Sequence, residues 1–110
     1  MEHQITPEEA RALTRRYREM RNTIMADGFK ESLPFCESFN ADSLRALLAQ
    51  PGCTGFRAYM GMKPDNRVCI IFTATDAQGR DIISIAQDDE NGIILENGKW
   101  CPPVCPVDPL

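Results

Sequence analysis

The chain is 110 residues long, 43% hydrophobic and 25% charged, with a formal net charge of −4 at pH 7. That length accommodates one domain with its own core, and the acidic balance argues against a general nucleic-acid footprint. Met1-Glu2-His3-Gln4 leads straight toward a helix without a basic or apolar leader, and no apolar run approaches the ~20 residues that span a bilayer, so a cytoplasmic protein with no membrane partner is expected.

Thr6-Pro7-Glu8-Glu9 combines an N-cap threonine, a proline at the first helical position and a glutamate three residues after the cap. Ala10, Leu13, Tyr17, Met20 and Ile24 follow at spacings of three and four, one apolar stripe on a helix that Asp27-Gly28 stops. Between Phe29 and Phe39 the aromatic residues suggest anchoring to the core, while Pro34 breaks any long helix. A second helix is predicted from an Asn40 cap through Leu44, Leu47 and Leu48 to about Gln50, where Pro51-Gly52 ends it. From Cys53 the period changes to alternation: Phe56, Ala58 and Met60 face one way, Arg57 and Tyr59 the other. Lys63–Asn66 is a loop, Val68–Thr75 a central strand apolar on both faces, and Asp76–Gly79 the turn of a hairpin to Asp81–Ala86. Asp88–Gly92 and Glu96–Gly98 are further turns, flanking a short strand at Ile93–Leu95.

Helices first and successive hairpins afterwards predict an α+β fold: two N-terminal helices packed on one face of an antiparallel sheet of about four strands, with a proline-rich C-terminal tail. The whole of 1–110 is one domain, divided into a helical part (1–52), a sheet part (53–100) and a Cys/Pro tail (101–110). The segments Pro51 to Tyr59, Thr75 to Asp81 and Cys101-Pro102-Pro103-Val104-Cys105 resemble a family of small uncharacterised bacterial proteins. Its members share a Gly-x-Arg-x-Tyr strand and a closing Cys-Pro-Pro-x-Cys. The resemblance covers roughly the second half of the chain and implies a layout, with no activity, cofactor or catalytic residue attached to it.

The cysteines carry the first candidate chemistry. Five are present, so one at least stays unpaired in any intramolecular disulfide scheme. Cys101 and Cys105 bracket two prolines, which stiffen the segment into an extended strap. With two of Cys36, Cys53 and Cys69 they would make a tetrahedral zinc site, but a zinc knuckle spaces its thiolates two residues apart with backbone N–H support that prolines remove. The spacing also departs from the Cys-x-x-Cys of oxidoreductases, and no helix opens there. A structural staple is preferred, with Cys53 near Cys101 or Cys105. The only histidine, His3, lies outside the predicted elements.

A polar strand face carries the second candidate. Arg57 and Tyr59, near Asp76 and Asp81 at the hairpin, form a candidate binding face, against which stands ordinary cross-strand pairing of Arg57 with an acid. Arg11, Arg15, Arg16, Arg18 and Arg21 read as a solvated helix face paired with Glu8 and Glu19 rather than as a phosphate site. Asp88–Gly92 lacks the frame of a calcium loop, and no phosphate loop, serine elbow or His-Glu-x-x-His pair is present. No cofactor is expected and the pattern points away from an enzyme. The expected function is a non-catalytic binding or interaction module acting through its sheet face or by self-association as a homodimer. The alternative is a thiolate metal-binding or thiol redox-sensing protein using Cys53, Cys101 and Cys105.

Overall fold

In the computed structural model, which describes residues 1–85 and 90–110, the first element is helix α1 (Pro7–Ile24). The Thr6 hydroxyl accepts the Glu9 N–H at 3.1 Å, and Pro7 occupies the first turn, where its missing N–H costs nothing. The face α1 turns inward differs from the apolar stripe. Ala10, Thr14, Tyr17 and Arg21 are the half-covered positions, continued by buried Met25, whereas Leu13 (64% exposed) and Ile24 (62%) lie in the open beside Met20. At 100° per residue the covered line sits roughly 80° around the helix from the Leu13–Met20–Ile24 line. Polar grips on the following loop set this rotation. The Tyr17 hydroxyl donates to the Pro34 carbonyl at 2.7 Å, Arg21 donates to the Leu33 carbonyl, and its guanidinium stands 4.7 Å from the centre of the Phe35 ring. Helix α1 therefore packs on the 33–35 segment.

The next elements are β1 (Cys36–Ser38) and α2 (Ala41–Leu48), the latter capped by Asn40, whose side-chain oxygen accepts from the N–H groups of Asp42 and Ser43. Strands β2 (Gly55–Met62) and β3 (Val68–Thr75) form an antiparallel hairpin in which Arg57 faces Thr73 and Ala58 faces Phe72. Beyond β3, the chain continues through β4 (Ser84–Ile85), β5 (Glu90–Asn91), β6 (Ile94–Leu95) and β7 (Lys99–Cys101). The α+β class stands, with the strands distributed over a three-stranded antiparallel sheet, β2-β3-β6, and two pairs, β1-β7 and β4-β5. Strand β1 was not expected from the sequence; it pairs with β7 in the register Cys36–Cys101, Glu37–Trp100 and Ser38–Lys99. The expected Asp81–Ala86 strand is a single bridge from Asp81 to Thr75 followed by β4, and Ala86, like Asp88 and Asp89 of the expected acidic turn, lies outside the described residues.

Helix α2 packs over β3 and β6, and Phe39, just before its cap, meets Phe72 edge-on at 4.8 Å with Phe56 at 5.7 Å on the same ring. Among the described residues the buried apolar set is Met25, Leu47, Cys69, Ala74 and Cys101, and Leu47 is the one large side chain fully removed from solvent. A compact monomer of 12.4 kDa exposes about 6,100 Å², while this chain exposes 8313 Å². Its radius of gyration, 16.3 Å, likewise exceeds the roughly 13 Å of a compact chain this long. Strand β2, at the edge of the three-stranded sheet, contributes to it: its Phe56, Met60 and Met62 are 51%, 67% and 58% exposed.

Candidate functional site

On the polar face of the hairpin, Arg57, Tyr59 and Asp81 meet. One guanidinium nitrogen of Arg57 donates to Asp81 Oδ1 at 2.6 Å, and the other reaches the Gly79 carbonyl at 2.9 Å. The Tyr59 hydroxyl donates to Asp81 Oδ2, and the Thr73 hydroxyl to Oδ1 at 2.9 Å. Strand pairing explains the convergence: residues 57 and 59 share a face of β2, residue 73 lies across from 57, and the turn delivers Asp81 beside the end of β3. The Tyr59 hydrogen bond above all, then Thr73 and Arg57, hold the Asp81 carboxyl below its usual 3.8. Tyr59 beside the guanidinium, above all, and then the Asp81 charge raise Arg57 above its ordinary value. A carboxylate so fully supplied with donors stays ionised and is a poor proton acceptor; its chemistry here is to order a polar, aromatic-edged surface.

Asp76 does not join this group. Its carboxylate builds the turn, accepting the Gln78 and Arg80 N–H groups at 2.9 Å each, with Gly79 at φ +76° where a side chain would be strained. Thr73, the fourth member of the cluster, escaped the sequence reading because only the strand register places it opposite Arg57. Glu37 escaped it as well: its Oε1 accepts from the Ile70 N–H at 3.1 Å and the Trp100 indole at 2.9 Å, joining β1 to β3 and β7, while its Oε2 is buried without a partner. Nearby, Lys63 pairs with Glu96 and donates to the Asn97 side chain at 2.6 Å. That pairing holds Glu96 below its ordinary 4.5 and Lys63 above 10.5.

The cysteines arrange themselves differently from the expectation. Cys101 and Cys105 are bonded to each other, with Cα atoms 4.6 Å apart, so the strap is a closed loop and not an extended segment. The Val104 N–H donates to the Trp100 carbonyl at 2.8 Å, closing the same loop along the backbone. Cys53 takes no part: it precedes β2, its thiol donating to the Gly55 carbonyl at 3.2 Å. The staple expected between Cys53 and the tail is thus replaced by one within the tail itself. Sulfurs bonded to one another are not thiolates and cannot serve as zinc ligands in this state. Among the described residues no cluster of three or more His, Cys, Asp and Glu side chains is arranged to hold a metal ion.

Cys36 is the thiol that the fold brings to the motif. It is exposed, unpaired and directly across the ladder from Cys101. Both face a cavity of about 430 Å³ between α1 and the tail, together with Tyr17, Phe35, Cys105 and Pro106. The Leu110 carbonyl closes one side, accepting from the Thr14 hydroxyl at 3.1 Å and from Arg18 at 3.0 Å. Two of the five helix arginines, Arg18 and Arg21, therefore grip main-chain carbonyls of this chain. Among the described residues no helix is long and apolar enough to cross a membrane. No family model, curated protein or solved structure matches the chain.

Proposed function

We propose that this chain is a non-catalytic interaction module that works as a homodimer, the second copy seated on the free edge of β2. The observation that carries the reading is the surface: about 2,200 Å² more than a compact monomer of this mass exposes. A standard interface buries about 800 Å² per partner, so one two-fold contact fits well within that excess. Strand β2 supports a second copy as the occupant. Its eight residues contain no proline and one charge, Arg57, and among the described residues no strand pairs with its outer row of N–H and C=O groups. Antiparallel pairing of such an edge with itself is isologous, each strand offering the other the same donors and acceptors. Phe56, Met60 and Met62 then gain apolar neighbours across the axis, and the exposed Leu13–Met20–Ile24 line of α1 is a second surface of the same character.

The ionised, donor-filled Asp81 supports a binding role for the polar face over acid–base chemistry. Sedimentation velocity at micromolar concentration tests the dimer, with a species at twice 12.4 kDa expected. Met60→Lys places a charge on the edge strand and is expected to yield monomer with an unchanged circular dichroism spectrum. Wild-type protein sedimenting as a folded monomer overturns the reading. Dissociation by Met20→Arg, with Met60→Lys still dimeric, moves the contact to α1 and refutes the β2 assignment.

A further inference from the structure

We propose that Cys36, Cys101 and Cys105 form an internal thiol–disulfide exchange site that switches how the tail is held over the cavity. Cys101 is common to two geometrically allowed disulfides. The first is the bond to Cys105, with Cα atoms 4.6 Å apart. The second joins Cys101 to Cys36. These residues are directly opposed in an antiparallel ladder, where Cα atoms lie about 4.5–5.5 Å apart and both side chains leave the same face. That separation falls inside the roughly 4.4–6.8 Å range of disulfides, so the second bond needs no movement of β1 against β7. The Phe35 N–H to Cys101 carbonyl hydrogen bond, 2.8 Å, fixes the ladder at this end. All three sulfur-bearing residues line one cavity, and the attacking thiol, Cys36, is exposed and free.

The step balances without any oxidant or reductant. Cys36 loses its proton to water and its thiolate attacks the Cys101 sulfur. A Cys36–Cys101 bond forms, the Cys101–Cys105 bond breaks, and the electron pair departs with Cys105, which takes up a proton from water. One disulfide and one thiol are present before and after. The two states differ in mechanics. With Cys101–Cys105 closed, the loop holds residue 105 against β7, and Leu110 reaches Thr14 and Arg18 of α1 across the cavity. With Cys36–Cys101 closed, β1 and β7 are locked together, and the segment from Cys105 onward loses its covalent tie beside the cavity.

Peptide mapping reads the exchange directly. Cleavage after Lys and Arg leaves Cys36 in the peptide 31–45 and both tail cysteines in 100–110, so the first state is a loop within one peptide and the second a cross-link between two. Protein held at pH 8 without reductant and then blocked with N-ethylmaleimide is expected to show the cross-linked pair in about a tenth of chains. The label on Cys36 moves to Cys105 in those chains, while the total stays at the three thiols free in the first state. In Cys105→Ser, mild oxidation with glutathione disulfide should drive the intramolecular Cys36–Cys101 link in most chains, whereas Cys36→Ser should show only the loop. The proposal is overturned if wild-type protein never yields the cross-linked pair. It is equally overturned if Cys105→Ser, folded by circular dichroism, forms only links between chains or mixed disulfides with glutathione.

Discussion

If the surface left open by each chain is closed by a second copy, dissociation and unfolding coincide near the melting temperature even though a separated chain keeps its fold in the cold, and dilution alone must lower the midpoint. The size of the effect follows from the chain. Two copies of 110 residues unfolding together gain about 0.46 kcal/mol/K of entropy, at roughly 2.1 cal/mol/K per residue. Each tenfold dilution favours the dissociated, unfolded chains by about 1.5 kcal/mol of dimer near 60 °C, so the midpoint falls by about 3 °C. A hundredfold dilution, from about 100 to about 1 μM, therefore lowers it by roughly 6–7 °C. Far-ultraviolet circular dichroism in cells of different path length measures this without labels. A midpoint constant to within a degree over that range refutes the argument, because a monomer's melting temperature does not depend on its concentration.

Leu47, the fully buried residue of α2, is expected to cost about 2–5 kcal/mol when truncated to Ala, a drop of roughly 10–20 °C in thermal melts, against little change for half-exposed Leu48→Ala. Equal effects at the two positions would remove Leu47 from the centre of the core. The depressed Asp81 carboxyl means that the unfolded chain takes up more protons than the folded one as acid is added. Its contribution is therefore complete above about pH 5 and is lost as pH falls through 3.8 and below. Urea midpoints should fall more steeply over that window for wild-type protein than for Asp81→Asn, which keeps the similar, Lys63-driven dependence of Glu96. Parallel curves would show that the cluster is not coupled to folding.

Those parts of the fold that rest on local chemistry were legible in the sequence. The Thr6-Pro7 cap, the Asn40 cap, the alternation of residues 56 to 60 and the Asp76–Gly79 turn each depend on residues within about four positions of one another. The rotation of α1 was not legible. An apolar pattern counts Leu13, Met20 and Ile24 as the buried stripe, but a tyrosine hydroxyl and an arginine, both bound to main-chain carbonyls at 33–34, hold the helix by another side. Nor was β1, three residues with two polar side chains among them, whose partner strand β7 lies at the other end of the chain. The candidate site divides in the same way. Arg57, Tyr59 and Asp81 were found by alternation and proximity to a turn, whereas Thr73, Glu37 and the position of Cys36 depend on register.

The β1–β7 ladder also bears on the order of events during synthesis. Glu37 and Trp100 are 63 positions apart, so their pairing closes most of the chain into one loop, and such closures come late because their entropy must be overcome before any contact rewards them. The β2–β3 hairpin, joined by the short Lys63–Asn66 turn, is complete long before that. On the ribosome, Cys36 therefore emerges without its strand partner and waits through the making of some sixty further residues. Cys101 and Cys105, by contrast, are separated by only 4 positions, so the loop between them is short and closes at little entropic cost. The pairing of those two sulfurs is thus the one that loop closure favours kinetically, whichever partner of Cys101 is the more stable in the finished protein.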